Sequence, residues 1–247
     1  MPSPFVVSIA IAAFLISGLV KGVIGMGLPT VGIGLLSLAM TPAEAAVLLV
    51  VPTVVTNVWQ LAFGPGLWPL LKRLWPFLVA TTVVAFLSSG LLATDPSGRD
   101  AAWLGAALIV YAVLGLCAVR MTVPRHAEPW LGPLAGAASG LVAGATGVFS
   151  IPGVIYLNGL GLDKDELIQA LGITFTVAML ALAAGLWRHG MFHGAIVGDS
   201  TLALIPALLG MLLGQWIRQR ISAAMFRTCF FVGLLLLGTH LAVRTLL

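Results

Sequence analysis

Two glycine-rich stretches decide the fold of this chain. Residues 18–29 read GLVKGVIGMGLP, and residues 140–152 read GLVAGATGVFSIP. They lie inside two long apolar segments, 5–40 and 130–162. A continuous helix of about 33 residues would extend roughly 50 Å, well beyond the roughly 30 Å hydrocarbon core of a bilayer. Because proline removes a backbone donor and glycine lets the backbone open, we predict a broken helix at each stretch.

The two stretches match each other at an offset of 122 residues. The matched glycines are Gly18, Gly22 and Gly25 in the first stretch and Gly140, Gly144 and Gly147 in the second. Glu44 falls on Glu166 at the same offset. The match predicts an internal duplication, with a first transmembrane repeat over 1–122 and a second over 123–247, joined in one membrane domain.

The composition places these segments in a membrane. Of the 247 residues, 60% are hydrophobic and 8% are charged, against about 25% charged in an average soluble domain. Twelve Lys/Arg and eight Asp/Glu cannot cover a water-soluble fold of this size. This excludes a soluble enzyme, a DNA-binding module and a disordered chain. In a membrane protein the net charge of +4 indicates basic cytoplasmic loops, not a nucleic-acid partner.

The segment lengths predict an all-α polytopic membrane protein with about eight transmembrane segments, among them helices over 45–63, 101–119 and 167–187. Ten passes result if each broken segment crosses twice. With ten passes, one side holds Lys72, Arg73, Arg120, Arg125, Lys164, Arg218, Arg220 and Arg227, and the other holds Arg99, Arg188 and Arg244. That asymmetry obeys the positive-inside rule and makes the two pseudo-symmetric halves inverted repeats.

The broken helices are candidate halves of a substrate site. A helix that restarts after a break presents free N–H groups and a partial positive charge, which suit an anion. The candidate residues are Gly25, Met26, Gly27 and Pro29 at the first break and Thr146, Gly147, Ser150 and Pro152 at the second. The alternative is close helix packing through small residues, which we favour for the glycine pairs 18/22 and 140/144.

Polar side chains near the first break extend this candidate site. Lys21 is the one charged residue of 5–43, and its counterpart in the second half is Ala143. An ionisable group at membrane depth is a functional candidate, with a snorkelling lysine as the alternative. Four polar residues at helical spacing form a stripe on the next apolar segment: Thr53, Thr56, Asn57 and Gln60. In the second half, Thr174 is a polar residue next to the position that corresponds to Thr53. A pore-facing wall and an interhelix hydrogen-bond seam both explain the stripe.

The two matched glutamates have a structural explanation. Thr41-Pro42-Ala43-Glu44 has an N-cap threonine, proline at the first helical position and glutamate three residues after the cap. Residues 163–166 have the same form, with Asp163 as the cap. We therefore interpret Glu44 and Glu166 as helix-capping residues, not as proton carriers.

The paired breaks, the two halves and the total length resemble the sulfite exporter TauE/SafE family of membrane permeases. The resemblance spans nearly the whole chain. It implies a secondary transporter without a cofactor that moves sulfite, sulfonates or related sulfur-containing or organic anions, generally outward across the bacterial inner membrane. Transport would proceed by alternating access, with the two repeats rocking around an anion at the breaks.

Three other functions remain open at this stage. One is a transporter of an unrelated small solute with proton coupling. Another is an intramembrane hydrolase using Ser139 or Ser150 with His240, although the G-x-S setting of a nucleophile is not met. The third is a non-transporting membrane scaffold, which gives no reason for the repeated breaks. The expected partners are a small anion and the lipid bilayer, with no nucleic acid and with a homo-oligomer left open. We expect no enzyme activity, metal or cofactor.

Overall fold

The protein consists of α-helices in a computed structural model that describes residues 4–62, 64–94, 99–117, 121–149, 151–192 and 194–244. The helices of the first half are α1 (Pro4–Ile24), α2 (Leu28–Leu36), α3 (Pro42–Leu48), α4 (Val50–Ala62), α5 (Leu67–Ser88), α6 (Gly90–Ala93) and α7 (Asp100–Leu116). The helices of the second half are α8 (Glu128–Thr146), α9 (Gly153–Gly159), α10 (Lys164–Arg188), α11 (Gly194–Leu202), α12 (Leu204–Arg218) and α13 (Ala223–Arg244).

Both predicted breaks are present. Between α1 and α2 the backbone takes positive φ at Gly25 (85°) and Gly27 (99°), and after α8 it does so at Gly147 (73°). Side chains with a Cβ avoid this left-handed region, so glycine is the residue that allows each helix to stop and turn. The prediction of two broken helices is confirmed.

The expected single helix over 45–63 is wrong in one respect, because it is bent. Residues before and after Leu49 form α3 and α4, whose axes differ by 47°. Pro52 has no N–H to offer the carbonyl of Leu48. Instead, Ser200 of α11 donates its hydroxyl to that carbonyl (2.8 Å) and accepts from the N–H of Val51 (3.3 Å). The predicted helices over 101–119 and 167–187 correspond to α7 and α10.

The capping interpretation of the two glutamates is confirmed. The Glu44 carboxylate accepts from the Thr41 N–H (2.9 Å), and the Glu44 N–H donates to the Thr41 hydroxyl (3.3 Å). The Glu166 carboxylate accepts from the Asp163 N–H (3.0 Å). Each glutamate thus supplies an acceptor for a backbone donor at the start of a helix.

Three closely packed helix pairs hold the bundle together: α1 with α12, α5 with α8, and α7 with α13. A Cβ added at Gly18 or Gly22 would overlap the backbone of α12, and one at Gly140 would lie 2.6 Å from the Thr81 carbonyl of α5. At Gly144 it would lie 2.9 Å from the Ala85 carbonyl. The packing interpretation of both glycine pairs is therefore confirmed.

Hydrogen bonds define the two ends of the bundle. At one end, called the basic end from here on, Val123 N–H donates to the Gly159 carbonyl (2.8 Å) and Arg227 Nη2 donates to the Gly115 carbonyl (3.2 Å). Here α7, α9 and α12 finish, and α5, α8, α10 and α13 begin. At the opposite end Arg244 Nη1, in the last turn of α13, donates to the Leu38 carbonyl beyond α2 (3.1 Å).

The outer surface is that of an integral membrane protein. Large apolar side chains are exposed around the bundle, with Phe5 at 72% and Trp187 at 73%. Five helical stretches of the described chain are long and apolar enough to cross a bilayer, and the bent α3–α4 pair makes a sixth. They are Phe5–Ile24, Leu67–Ala93, Lys164–Arg188, Ile196–Arg218 and Met225–Arg244. The larger count of eight to ten passes stays a prediction.

One ion pair joins the two halves at the basic end. Arg73 Nη2 donates to Glu128 Oε1 (2.6 Å), Arg73 Nε donates to Glu128 Oε2 (2.9 Å), and Nη2 also reaches the Leu160 carbonyl (2.9 Å). We expect Glu128→Gln to lower the free energy of unfolding by about 1.5 kcal/mol, because a charge-assisted, two-pronged contact is lost. Thermal unfolding in detergent measures this. Arg125→Gln, an exposed neighbour, is the control, and equal melting temperatures for the two variants would contradict the expectation.

Candidate functional site

A buried lysine lies at the centre of the candidate site. The side chain of Lys21 on α1 is 3% exposed, and its Nζ donates a hydrogen bond to Oδ1 of Asn57 on α4, which is fully buried. A snorkelling lysine would place its ammonium at the surface. Lys21 instead points into the protein, towards the polar stripe of α4.

The polar stripe of α4 also forms a hydrogen bond with the first break. One turn along α4 from Asn57, Gln60 Nε2 donates to the Gly25 carbonyl (2.6 Å), which α1 leaves without a partner when it stops. Thr53 and Thr56 are fully buried on this helix, and the Thr56 hydroxyl donates to the Pro52 carbonyl (2.6 Å). The polar face of α4 therefore contacts both the last turn of α1, at Lys21, and the start of the break, at Gly25.

A cavity of about 500 Å³ opens beside these residues. It lies between α1, α4, α10 and α12, and we call it the lysine cavity. Its lining residues are Lys21, Gly22, Gly25, Trp59, Gln60, Gly64, Asp165, Ile168, Met211, Gln215, Arg218 and Gln219. Arg218 ends α12 and Asp165 lies in the first turn of α10, so the cavity runs from the basic end to the buried ammonium of Lys21.

The electrostatics of the lysine cavity suit an anion. Two cations, Lys21 and Arg218, line it, and Asp165 is the one carboxylate among its described lining residues. Burying an ammonium is costly unless it is paired, so an incoming anion would offset the desolvation of Lys21. Asn57 Nδ2 and Gln60 Oε1 are buried without a hydrogen-bond partner among the described residues, which leaves a donor and an acceptor near Lys21.

Comparison with known proteins identifies the family. The sequence model described as "Sulfite exporter TauE/SafE" matches residues 9–241, nearly the whole chain. The chain belongs to the sulfite exporter TauE/SafE family. No curated protein and no solved structure matches it. TauE/SafE proteins are membrane permeases for sulfur-containing anions and not enzymes, so the resemblance drawn from the paired breaks is confirmed and the hydrolase alternative loses its basis.

The site residues predicted at the first break of this TauE/SafE protein do not all line the same cavity. Gly25 lines the lysine cavity, whereas Met26 lines a second cavity and its sulfur accepts from the Tyr111 hydroxyl (3.7 Å). Gly27 faces Val20 of α1, and Pro29 is buried in the first turn of α2. The N-terminus of α2 is therefore not among the groups that line the lysine cavity.

The predicted residues of the second half do not join Lys21. The Thr146 hydroxyl donates to the Val142 carbonyl (2.7 Å), and the Thr174 hydroxyl donates to the Ala170 carbonyl (2.8 Å). Gly147 is buried against Ile33 of α2, and Pro152 is the residue before α9. Ser150 lies outside the described residues. Among the residues that the structure describes, the site is thus built around the first break.

Sequence reasoning missed the outer wall of the lysine cavity. Gln215, Arg218 and Gln219 line it at spacing i, i+3, i+4 near the end of α12, and Asp165 lines it from the first turn of α10. In the sequence, this spacing indicates that the end of α12 has one polar face. The sequence held no signal that this face lies opposite Lys21.

Proposed function

We propose that this TauE/SafE protein is a secondary transporter that exports a small sulfur-containing or organic anion, foremost sulfite or a sulfonate, across the bacterial inner membrane. The observation that carries the proposal is the buried Lys21 ammonium at the wall of a cavity that reaches the basic end. A cation at this depth, beside the unpaired Asn57 Nδ2 donor, favours a solute of opposite charge.

The anion binds in the lysine cavity, beside Lys21 and the polar face of α4. An oxygen of the anion accepts from the Lys21 ammonium, and Asn57 Nδ2 supplies a second donor. Hydrogen bonds of this charge-assisted kind are roughly twice as strong as neutral ones. The volume of about 500 Å³ exceeds that of a bare inorganic anion, so an organic sulfonate or an anion with part of its hydration shell also fits.

The helix packing supports two inverted repeats over 1–122 and 123–247. α1, the first helix of one half, packs along α12 of the other, and α8, the first helix of the second half, packs along α5. The glycine contacts show the same pairing of helices from opposite halves. Gly18 of α1 faces the Ala207 carbonyl of α12, and Gly140 of α8 faces the Thr81 carbonyl of α5. Inverted repeats with broken helices are a recurrent basis for alternating access, the mechanism that we propose here.

The basic end faces the cytoplasm in this proposal. Of the described Lys and Arg, it holds Lys72, Arg73, Arg125, Lys164, Arg218, Arg220 and Arg227, whereas Arg99, Arg188 and Arg244 belong to the opposite end. This distribution obeys the positive-inside rule with ten passes, counting α1–α2 and α8–α9 as hairpins. Labelling the 120–129 loop for sidedness tests the orientation, and a periplasmic loop would contradict it.

A ligand screen tests the substrate class. The purified protein is heated with sulfite, sulfate, thiosulfate, sulfonates or carboxylates, and a ligand that binds the folded form raises the melting temperature. We expect the largest shift from sulfite or a sulfonate. Stabilisation by a neutral solute, with none by any anion, would contradict the proposal and favour the transporter of an unrelated solute.

We expect Asn57→Leu to slow anion efflux from proteoliposomes at least about 10-fold, because it removes the amide that orients Lys21 and one donor to the anion. Leucine keeps the volume of the side chain. The control is Thr81→Val on α5, which removes a buried hydroxyl that donates to the Phe77 carbonyl of its own helix (2.8 Å). Equal efflux from the Asn57→Leu variant and the wild-type protein would exclude Asn57 from the site.

A further inference from the structure

A second cavity, of about 530 Å³, lies on the other side of the first break. It is enclosed by α7, α9, the start of α13 and residues 121 and 122, and Ile24 and Met26 form one wall. We call it the aromatic cavity. None of its residues lines the lysine cavity, so it is a separate space that the proposed transport site does not use.

The aromatic cavity has an apolar inner part. Tyr111 and Phe231 meet edge to face with ring centroids 5.3 Å apart, and Phe230 lies 5.0 Å from Phe231. The three rings pack in arrangements that aromatic pairs favour, so they form a rigid apolar surface. The sulfur of Met26 completes it, held by the Tyr111 hydroxyl.

Its polar groups lie towards the basic end. Arg227 is one turn nearer the start of α13 than Phe231, a rise of roughly 6 Å, and Gly115 is one turn nearer the end of α7 than Tyr111. Thr122 and Asn158 also line this part, and the Asn158 amide keeps its oxygen and one N–H for a ligand, because Nδ2 donates its other hydrogen to the Val154 carbonyl of α9 (2.6 Å). No carboxylate is among the described residues that line the aromatic cavity, so the Arg227 guanidinium gives it a net positive charge.

The rim of the aromatic cavity carries exposed apolar side chains. Met121, which lines it, is 54% exposed, and Leu116 and Met225 on the adjoining helices are 39% and 56% exposed. At the ends of membrane helices, such side chains lie at the boundary between lipid headgroups and acyl chains. This boundary gives an occupant a route into the cavity from the bilayer.

We propose that the aromatic cavity binds an anionic phospholipid. Arg227 and Asn158 face the phosphodiester of the headgroup, and the first carbons of an acyl chain lie on Tyr111, Phe230 and Phe231. A basic pocket between transmembrane helices at the membrane surface has the charge and the position that such headgroups require. An apolar inner surface below one cation matches the order of groups along a phospholipid.

The bound lipid would contact the first break. Ile24 ends α1 and Met26 lies between the two positive-φ glycines of the break, and both line the aromatic cavity. A lipid there supports the break on the face opposite Gln60, which holds the Gly25 carbonyl. Anionic lipid thereby stabilises this conformation of the first break, whichever solute the lysine cavity takes.

Native mass spectrometry of the delipidated, detergent-solubilised full-length protein tests the proposal, with phosphatidylglycerol or phosphatidylcholine as the added lipid. We expect retention of phosphatidylglycerol over phosphatidylcholine, and about five-fold weaker retention by Arg227→Gln, the effect of one basic residue near the surface. The control Arg220→Gln removes an exposed arginine that stacks on Trp216, and it should retain lipid as the wild type does. Equal retention of both lipids, or no loss in Arg227→Gln, would overturn the proposal.

A second variant is needed because Arg227→Gln also removes the hydrogen bond from Arg227 to the Gly115 carbonyl. Asn158→Leu leaves that hydrogen bond in place while removing a polar group from the headgroup region, and it should also weaken phosphatidylglycerol retention. It decides the question if Arg227→Gln fails to fold. Inorganic phosphate is added as a competitor, and full displacement of the lipid by millimolar phosphate would show that the cavity binds a free anion and would overturn the assignment to lipid.

Discussion

Lys21→Met is expected to reduce anion efflux from proteoliposomes by at least about 30-fold, the largest functional effect that we predict. Removing one member of a buried, hydrogen-bonded charge contact typically costs 2 kcal/mol or more, and about 2 kcal/mol corresponds to that factor. Methionine keeps the length and most of the volume of lysine, so the packing of α1 against α4 should survive. The same variant should lose the rise in melting temperature that the substrate anion produces in the wild-type protein.

The matched control for Lys21→Met is Lys72→Met, which removes an exposed lysine of α5 that stacks on Trp68. Both variants lower the net charge equally, so a difference between them reports the buried position and not the overall field. Wild-type efflux and an unchanged ligand shift in a folded Lys21→Met protein would remove Lys21 from the transport site. That result would leave the helix packing and the lipid proposal untouched.

Gly22→Val is expected to prevent stable folding, which is the largest structural effect that we predict. A Cβ at Gly22 would overlap the Met211 carbonyl and lie 2.9 Å from both the Gln215 nitrogen and the Gly214 Cα. These are backbone atoms, so no rotamer change relieves the contact, and α1 would have to move away from α12. We expect a loss of at least about 3 kcal/mol, the upper range for overpacking, measured as thermal stability and as monodisperse yield in detergent.

Gly233→Val is the control for this substitution. Gly233 lies within α13, and a Cβ added there meets no heavy atom within 4 Å. Valine has a better helix propensity than glycine, so this variant should be as stable as the wild-type protein or slightly more so. Equal stability of Gly22→Val and Gly233→Val would show that α1 and α12 do not approach each other as closely as the structure has them.

The all-helical membrane class and the two breaks were predictable because the bilayer constrains the fold. Membrane-length apolar segments specify helices, and glycine with proline inside a segment that is too long specifies a break, since those residues act on their own backbone. The capping of Glu44 and Glu166 was equally local. The bend at Leu49 was missed although Pro52 was a local signal for it, and the residue that compensates the lost hydrogen bond, Ser200 of α11, lies far along the chain.

Composition and residues close together in the chain established the membrane class, both breaks and the family, and they made Lys21 a candidate for the transport site. The tertiary structure was needed to show which polar groups surround that lysine. It set Asn57 and Gln60 of α4 against the first break, brought Arg218 and Asp165 from distant helices to the same cavity, and left Thr146 and Thr174 bonded within their own helices. Helical periodicity specifies which face of a helix is polar, but the neighbour of that face depends on how the helices pack around one another.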